Sequence, residues 1–290
     1  MKLLYIPLLT ATPETDDLYK AFCKKCDALW YWGNRSISAP DVIYFQSGAI
    51  PVPGVEIMKS INPKAIITQW TGDYRPEGFD YFREAGKYCD VSFKADLENL
   101  YPELNCKFLP HGVAEWQFRE INPDAKGIIF IGNAYTHLPG GKERYDLCKE
   151  LSKRDDFAWW GTGSPNGSIE YIKTPDEYNK HKFAICSSVY NDAKGYFGQR
   201  PLHAMAAGCC AIIRDFPNDY DFFPSIKTCI KYSPEVETLY DLWYKLSIAD
   251  VDGNMLSEEQ QTIEIRKNGQ QLIRDNFTYD KIVESYLKQI

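Results

Sequence analysis

An α/β protein with two doubly wound domains is the fold class that the sequence predicts. Short apolar segments alternate with helix-like segments along most of the 290 residues, and they lack the strict in-and-out alternation of half-exposed strands. This rhythm runs in two consecutive cycles, separated at Asn122-Pro123-Asp124. Parallel βαβ units, with helices on both faces of the sheet, have this pattern. We therefore predict a first domain over residues 1–122 and a second over residues 123–275.

The first cycle opens with the apolar run Lys2–Pro7, which predicts a strand. Asn62-Pro63 ends a helix, because the residue before a proline is biased away from helical backbone angles. The predicted strands of this cycle are 2–7, 28–32, 41–46, 65–69, 91–94 and 107–110, and its predicted helices are 16–27, 55–61 and 79–88.

The second cycle opens with the strand-like run Gly127–Gly132 and closes with two long helical segments. Its apolar runs are short and bounded by glycines or polar loops, which is typical of buried parallel strands. The predicted strands are 127–132, 157–160, 183–187 and 209–214, and the predicted helices are 142–153, 176–182, 200–207, 256–276 and 279–289.

Composition and charge limit the classes of function. The net charge of −7 disfavours non-specific nucleic-acid binding, which depends on Lys and Arg. No apolar stretch approaches the ~18 residues of a transmembrane helix, and the apolar N-terminus lacks a cleavage pattern and indicates a strand rather than an export signal. Nine scattered cysteines without an export signal predict reduced thiols and a cytoplasmic protein. We expect no metal site, because the lone Cys23-x-x-Cys26 lies in a predicted helix without a second pair.

Ligands in open parallel sheets bind beyond the carboxyl ends of the strands. In the second cycle, Gly132-Asn133 follows the first strand and Gly140-Gly141 precedes a helix, so backbone N–H groups could approach a phosphate there. Lys142 and Arg144 add positive charge at this loop, although a plain turn is an equally good interpretation. Gly161-Thr162-Gly163 is a second tight turn that follows a strand, and here a structural turn is the stronger interpretation.

Residues 195–213, GYFGQRPLHAMAAGCCAII, are the most informative segment. The small residues Ala204, Ala206, Ala207 and Gly208 permit close packing of a helix against a strand. Arg200 lies near the start of this helix, and its planar guanidinium suits phosphate oxygens. His203 lies one turn further along. Considered one at a time, Arg200 could equally be a surface arginine and His203 a capped histidine without a role in binding.

This segment resembles the donor-site helix of GT-B glycosyltransferases, E-x-F-G-x-x-x-x-E-A-M-A-x-G, with Phe197-Gly198 and Ala204–Gly208 in register. The position of Arg200 resembles the CgeB-like (spore-protein glycosyltransferase-like) group most closely. Pro110–Val113 resembles the turn near the interdomain hinge of the family, and Tyr171-Ile172 its base-binding stretch. The likeness covers about residues 107–290, whereas residues 1–106 share only the βαβ rhythm.

The resemblance implies two Rossmann-like domains that face a cleft, with the acceptor domain first and the donor domain second. It also implies a C-terminal helix, residues 276–290, that crosses back to the first domain. The co-substrate would be a nucleotide sugar, by default UDP-linked, and no tightly bound cofactor or metal is expected. Asp219-Tyr220-Asp221 has the letters of the DxD signature of a different, metal-dependent architecture, and we interpret it as a loop.

Candidate roles follow from this comparison. Cations and helix N-termini can stabilise a departing diphosphate without a metal. A general base could activate the acceptor, and Asp73, just past a first-domain strand, is the first candidate, with His111 second. The other candidates contact the donor, namely Gly132, Asn133, Arg144 and Arg200 at the diphosphate, with Lys142 and Lys194 in reserve, and Gly161, Thr162, Tyr171, Ile172, Gly198 and His203 around the rest of the nucleotide.

The chain departs from the family at both carboxylates of the E-x7-E pattern, where Gly195 and His203 stand. Three functions therefore stay open. The first is a glycosyltransferase acting on a glycan, protein or lipid acceptor. The second is a phage-type enzyme that glycosylates hydroxymethylated bases in DNA, which the acidic net charge mildly opposes. The third is a catalytically degenerate protein that binds a sugar nucleotide or a glycan. The sequence does not indicate an oligomeric state.

Overall fold

A computed structural model of the chain describes residues 1–7, 13–30, 39–133, 136–224, 227–233 and 258–290. The chain divides into two compact units. Unit 1 comprises Met1–Ala114 together with Phe277–Ile290, and unit 2 comprises Glu115–Asn276. Each unit contains its own parallel sheet.

Unit 1 contains a six-stranded sheet in the order β2-β1-β3-β4-β5-β6, and every strand pair is parallel. Strands β1, β3 and β5 are buried along nearly their whole length, as expected where helices cover both faces. The strands are β1 (Lys2–Ile6), β2 (Asp27–Trp30), β3 (Val42–Gln46), β4 (Ile66–Thr71), β5 (Val91–Lys94) and β6 (Cys106–Phe108).

Unit 2 contains a five-stranded sheet in the order β11-β10-β9-β7-β8, again with parallel pairs. The chain proceeds outward from β7 to β8, returns to β9 on the other side of β7, and continues outward to β11. The gap between β7 and β9 is therefore the topological switch point of this sheet. The strands are β7 (Ile128–Ile131), β8 (Phe157–Trp160), β9 (Phe183–Cys186), β10 (Cys210–Arg214) and β11 (Ile230–Tyr232).

The described residues also form nine α-helices. None of them is long and apolar enough to cross a membrane. They are α1 (Pro13–Lys25), α2 (Val52–Ile61), α3 (Asp80–Gly86), α4 (Gly141–Leu151), α5 (Thr174–Asn179), α6 (Gln199–Ala206), α7 (Asp219–Phe222), α8 (Glu258–Asn276) and α9 (Tyr279–Gln289).

Helix α9, the last of the chain, packs on unit 1 beside α1. Tyr286 lies edge-on to Phe22 and Tyr44 at 5.4 Å between ring centroids, and its hydroxyl is 2.6 Å from that of Thr68. At the rim, the Lys25 ammonium is 2.7 Å from the Glu284 carboxylate. A buried aromatic cluster therefore holds the C-terminal helix on the first unit.

Two elements differ from the sequence prediction for a clear reason. Helix α5 begins at Thr174 rather than at Asp176, because Pro175 fits the first turn, where no N–H is needed. The segment Asp219–Phe222, predicted as loop, is a short helix that starts after Asn218 in a left-handed conformation. The predicted start of the penultimate helix at Leu256 lies outside the described residues.

Candidate functional site

The switch point of unit 2 brings together the ends of β7 and β9. Gly132 follows β7, and Ser187 follows β9. Helix α6 begins near both ends, and its first turn carries Arg200. The switch point of an open parallel sheet is the place where ligands of such folds bind.

Arg200 bridges the two strand ends. Its Nε donates to the carbonyl of Ile131 at 2.7 Å, and its Nη1 donates to the carbonyl of Ser187 at 2.5 Å. The guanidinium also lies 5.0 Å from the ring centroid of Phe130. No carboxylate among the described residues pairs with it, so its positive charge is balanced only by carbonyl oxygens and an aromatic face. Such a group is suited to an anion.

A second cation, Arg144 of α4, converges on the same carbonyl. Its Nη1 donates to Ser187 at 3.3 Å, and its Nη2 donates to the carbonyl of Asn133. The residue is 3% exposed, and its guanidinium lies 5.6 Å from the same ring of Phe130. Two guanidinium groups therefore face one small region, which favours negative charge there.

Two glycines allow close approaches of the backbone at this site. A Cβ on Gly132 would lie 2.5 Å from Nη2 of Arg200. Gly161, after β8, has φ +128°, and a Cβ there would lie 2.2 Å from the carbonyl oxygen of Gly132. The next residue is tied to the same loop, because the N–H of Thr162 donates to Oδ1 of Asn133 at 2.8 Å. The loop after β7 and the turn after β8, both predicted from their glycines, therefore pack directly against each other.

His203 lies on α6, one turn after Arg200, and its ring contacts Tyr171 at 5.7 Å between centroids. Tyr171 begins a short 3-10 helix and also lies 5.7 Å from the ring of Trp116. Its hydroxyl accepts a hydrogen bond from Nε2 of Gln117 at 3.2 Å. The sequence reading missed Trp116 and Gln117, which lie just past the start of unit 2.

Of the remaining predicted donor residues, Gly198 lines a narrow hollow together with Ser187 and Arg200. Lys142 is exposed and pairs with Asp146 one turn along its own helix. Ile172 is 58% exposed, and Lys194 is exposed as well. Gly198 caps α6 with extended backbone angles.

In unit 1, Asp73 and His111 are neighbours beyond the end of β4. Nε2 of His111 lies 3.1 Å from the carbonyl of Gly72, so it carries the proton and donates. The ring meets Trp70 edge-on at 5.2 Å, and Nδ1 is buried without a hydrogen bond among the described residues. Asp73 itself is exposed, and its N–H donates to the hydroxyl of Thr71 at 3.3 Å.

The buried imidazole predicts a pH dependence of stability. Burial lowers the pKa of His111, and the Gly72 carbonyl and the Asp73 carboxylate oppose this only in part. A folded-state pKa below the unfolded value means that protonation favours unfolding. We therefore expect the free energy of unfolding to fall as the pH decreases from about 7 to about 5, and His111→Asn to reduce that slope.

Urea unfolding at about pH 7, 6 and 5 measures this slope. His137→Asn, which changes an exposed histidine of unit 2, is the matched control and should leave the slope unchanged. An identical slope for wild type and His111→Asn would contradict the expectation.

Comparison with known proteins adds a family and a fold. A family described as "Glycosyl transferase-like" matches residues 144–288, half of the chain. No curated protein sequence matches the chain. The family match includes Arg144, Arg200 and all of α6.

Solved structures resemble all or most of the chain at low sequence identity. The Anabaena protein Alr3699/HepE, solved with UDP and glucose, is 10% identical with a TM-score of 0.65, and the match covers 99% of this chain and 98% of that one. A glycosyltransferase from Rickettsia africae is 14% identical with a TM-score of 0.61, covering 99% and 97%. Sucrose-phosphate synthase from Thermosynechococcus elongatus is 10% identical with a TM-score of 0.58, covering 86% and 73%. The predicted α/β fold with two Rossmann-like domains of the GT-B type is confirmed.

Proposed function

Because the chain belongs to the glycosyl transferase-like family, we propose that it transfers a hexose from a UDP-sugar to an acceptor without a tightly bound metal. One observation carries this proposal. Arg200 spans the switch point of the unit 2 sheet, and among the described residues its charge is met only by two carbonyl oxygens and the face of Phe130. A diphosphate is the group that this place would receive.

The donor contacts are divided by chemistry. Arg200 and Arg144 stabilise the charge that develops on the leaving UDP, which a metal would otherwise neutralise. Gly132 lets the backbone approach the Arg200 guanidinium, and Gly161 lets the turn after β8 pack against Gly132. His203 and Tyr171 hold the ribose and the base, and Trp116 and Gln117 orient Tyr171.

We expect UDP rather than another nucleotide because of what a similar protein binds. The similar Anabaena protein has been solved in complex with UDP and with UDP-glucose. The arginine in the first turn of α6, close to the run of small residues, supports a place near the CgeB-like group. The acceptor is a glycan, a protein or a lipid that bears a hydroxyl group.

Asp73 is the better candidate for the general base in unit 1. A base must reach the proton of the acceptor and be unprotonated at neutral pH. The Asp73 carboxylate is exposed, whereas the unprotonated nitrogen of His111 is buried. His111 therefore positions the loop through Gly72 rather than accepting the proton itself.

A catalytically degenerate binding protein is the second candidate, and Gly195 favours it. This residue stands where the resembling enzymes have their first carboxylate, and it has φ +65°, a left-handed conformation that disfavours most side chains. Its N–H donates to the carbonyl of Pro217 at 2.9 Å, so the loop is fixed in this form. Donor binding without turnover is the behaviour expected of such a protein.

A nucleotide panel tests the proposal. We expect UDP and UDP-glucose to raise the melting temperature of the protein, by the equivalent of about 2.7 kcal/mol at a hundredfold excess over Kd. GDP, ADP, CMP and dTDP should raise it less. Release of UDP from UDP-sugars then separates an enzyme from a binding protein. No shift with any nucleotide would contradict both candidates.

A further inference from the structure

The C-terminal end of α6 is bound by side chains from two other helices. The carbonyl of Ala206 accepts a hydrogen bond from Nε2 of Gln270 in α8, and the carbonyl of Ala207 accepts one from Nδ2 of Asn179 in α5, each at 2.8 Å. The last carbonyls of a helix have no partner within the helix and need one from outside. Side chains rather than water therefore satisfy this end of the helix.

The same two amides also contact the chain that leads into β7. Nε2 of Gln270 donates to the carbonyl of Arg119, and Nδ2 of Asn179 donates to the carbonyl of Glu120, each at 2.8 Å. This segment precedes β7, the strand whose last carbonyl accepts from Arg200. The two amides therefore connect the far end of α6 to the chain that enters the switch point.

Arg266 of α8 is a third contact at this end, and it brings a buried positive charge. The residue is 2% exposed, and its Nε donates to the carbonyl of Gly208 at 2.5 Å. Its Nη2 is also buried, and no acceptor among the described residues meets it. The C-terminus of a helix carries partial negative charge, which attracts a cation. The guanidinium of Arg266 is therefore drawn to the end of α6 by charge as well as by a hydrogen bond.

A glycine in α8 makes these contacts possible. Arg266, Gly269 and Gln270 lie on one face of α8, because residues three and four apart are neighbours on a helix. A Cβ on Gly269 would lie 2.6 Å from the carbonyl oxygen of Thr228 and 3.5 Å from Cγ of Met205 in α6. The missing side chain therefore lets α8 lie close enough for its two polar residues to reach the end of α6.

Apolar packing alone does not fix how far α6 lies along its axis. The helix has eight residues, a length of about 12 Å, and its buried Leu202 and Met205 pack without directional preference. Hydrogen bonds are directional and fix that position. We propose that Arg266 and Gln270 are positioning residues, which set the axial position of α6 and so keep Arg200 at the ends of β7 and β9. The consequence for UDP rests on the proposed function, whereas the position of Arg200 does not.

Substitutions in α8 test this role without touching the donor site. Arg266→Met and Gln270→Met remove the donors and keep the length of the side chain, while Arg266→Lys keeps the charge. Gln271→Met is the matched control, because Gln271 is exposed and donates only to Asp275, one turn along its own helix, at 2.9 Å. Apolar replacement of buried charged groups is often neutral for stability, so we expect Arg266→Met to fold.

Two measurements are needed, one of them without ligand. The proton–nitrogen NMR signal of the Nε–H group of Arg200, identified by its loss in Arg200→Lys, reports the hydrogen bond to Ile131. Calorimetric titration with UDP reports the donor site, and thermal unfolding reports stability. A purely structural role would change the melting temperature and leave the Arg200 signal unchanged.

Both methionine variants are expected to shift the Arg200 signal, to speed its exchange with water and to weaken UDP binding by roughly tenfold. Arg266→Lys should lie between Arg266→Met and wild type, and Gln271→Met should match wild type. Because Gln270 acts through the guanidinium of Arg200, Gln270→Met should weaken UDP by less than about twofold once Arg200→Lys is present.

An Arg200 signal that is unchanged in both methionine variants would overturn the proposal, whatever happens to the melting temperature. Wild-type UDP affinity beside a changed signal would also overturn it, as would an equal loss of affinity with and without Arg200→Lys. If UDP does not bind the wild-type protein, the proposed donor fails instead. The NMR comparison would then still decide whether Arg266 and Gln270 position Arg200.

Discussion

Replacing Arg200 by alanine is expected to remove the UDP-induced rise in melting temperature and the release of UDP from UDP-sugars. The substitution deletes a charge-assisted phosphate contact, which is worth about 2–3 kcal/mol, or roughly 30- to 150-fold in Kd. It also deletes the bonds to Ile131 and Ser187 that hold the ends of β7 and β9. A stability loss of about 2 kcal/mol should accompany the loss of binding.

Two further variants separate binding from folding. Arg200→Lys keeps the charge but loses the fork that reaches two carbonyls, so we expect intermediate UDP affinity. Arg154→Ala removes an exposed arginine of the same unit that pairs with Asp156 at 2.8 Å, and it should change neither stability nor UDP binding noticeably. Isothermal titration with UDP, beside thermal unfolding without ligand, measures both effects.

Wild-type UDP affinity in Arg200→Ala would remove the observation on which the donor site rests. A lower melting temperature with unchanged UDP affinity would assign Arg200 a purely structural role. An equal loss of binding in Arg154→Ala would indicate non-specific attraction of the nucleotide instead.

The fold was predictable because its signals are local. Strands such as β9 and β10 are buried at every position, and this burial appears in the sequence as short unbroken apolar runs. Errors arose where local chemistry was subtle, as at Pro175, which opens a helix earlier than expected. Asn218 likewise precedes a short helix in a left-handed conformation, which the amino-acid sequence alone does not predict.

The candidate site was predictable only in part. Arg200 was found because it lies beside a run of small residues that resembles a family motif. That Arg144 and Arg200 share the carbonyl of Ser187 depends on the strand order, which places β7 next to β9 although β8 intervenes in the chain. Trp116 and Gln117 carry no motif, and only the fold brings them to Tyr171.

A pocket past the carboxyl ends of β10 and β11 also could not be predicted from the sequence. Its walls come from three separate loops, and Asp219 and Lys231 become partners only when β11 lies beside β10. Ion pairs between residues of separate elements have no characteristic spacing in the sequence. The residues around the Arg200 motif therefore indicate the class of ligand from the sequence. The shape of the site depends on the order of the strands in the sheet, which the sequence alone does not give.

Gly161→Ala is expected to weaken donor binding indirectly, because the new side chain would force the turn after β8 away from the loop after β7. Gly161 has φ +128°, where an alanine is strained by about 1–3 kcal/mol. Its new methyl group would also lie 2.2 Å from the carbonyl oxygen of Gly132 and 3.2 Å from the amide nitrogen of Asn133. The loop after β7 must therefore move, and with it the surface that meets the phosphates.

We expect a total stability loss of about 3 kcal/mol or more and a loss of UDP affinity of at least about tenfold. Thermal unfolding and UDP titration measure the two effects. Gly163→Ala is the matched control, because Gly163 also has a positive φ, +88°, but a Cβ there would meet nothing within 4 Å. It should lose only about 1–2 kcal/mol and retain its UDP affinity.

The comparison of these two glycines isolates contact from backbone strain. If both variants lose UDP affinity equally, the turn itself binds the nucleotide and its conformation is what matters. If neither loses it, the loop after β7 does not contact the donor, and the anion site would have to be confined to Arg144, Arg200 and α6. A loss in Gly161→Ala alone is the result that the close approach of Gly161 to Gly132 predicts.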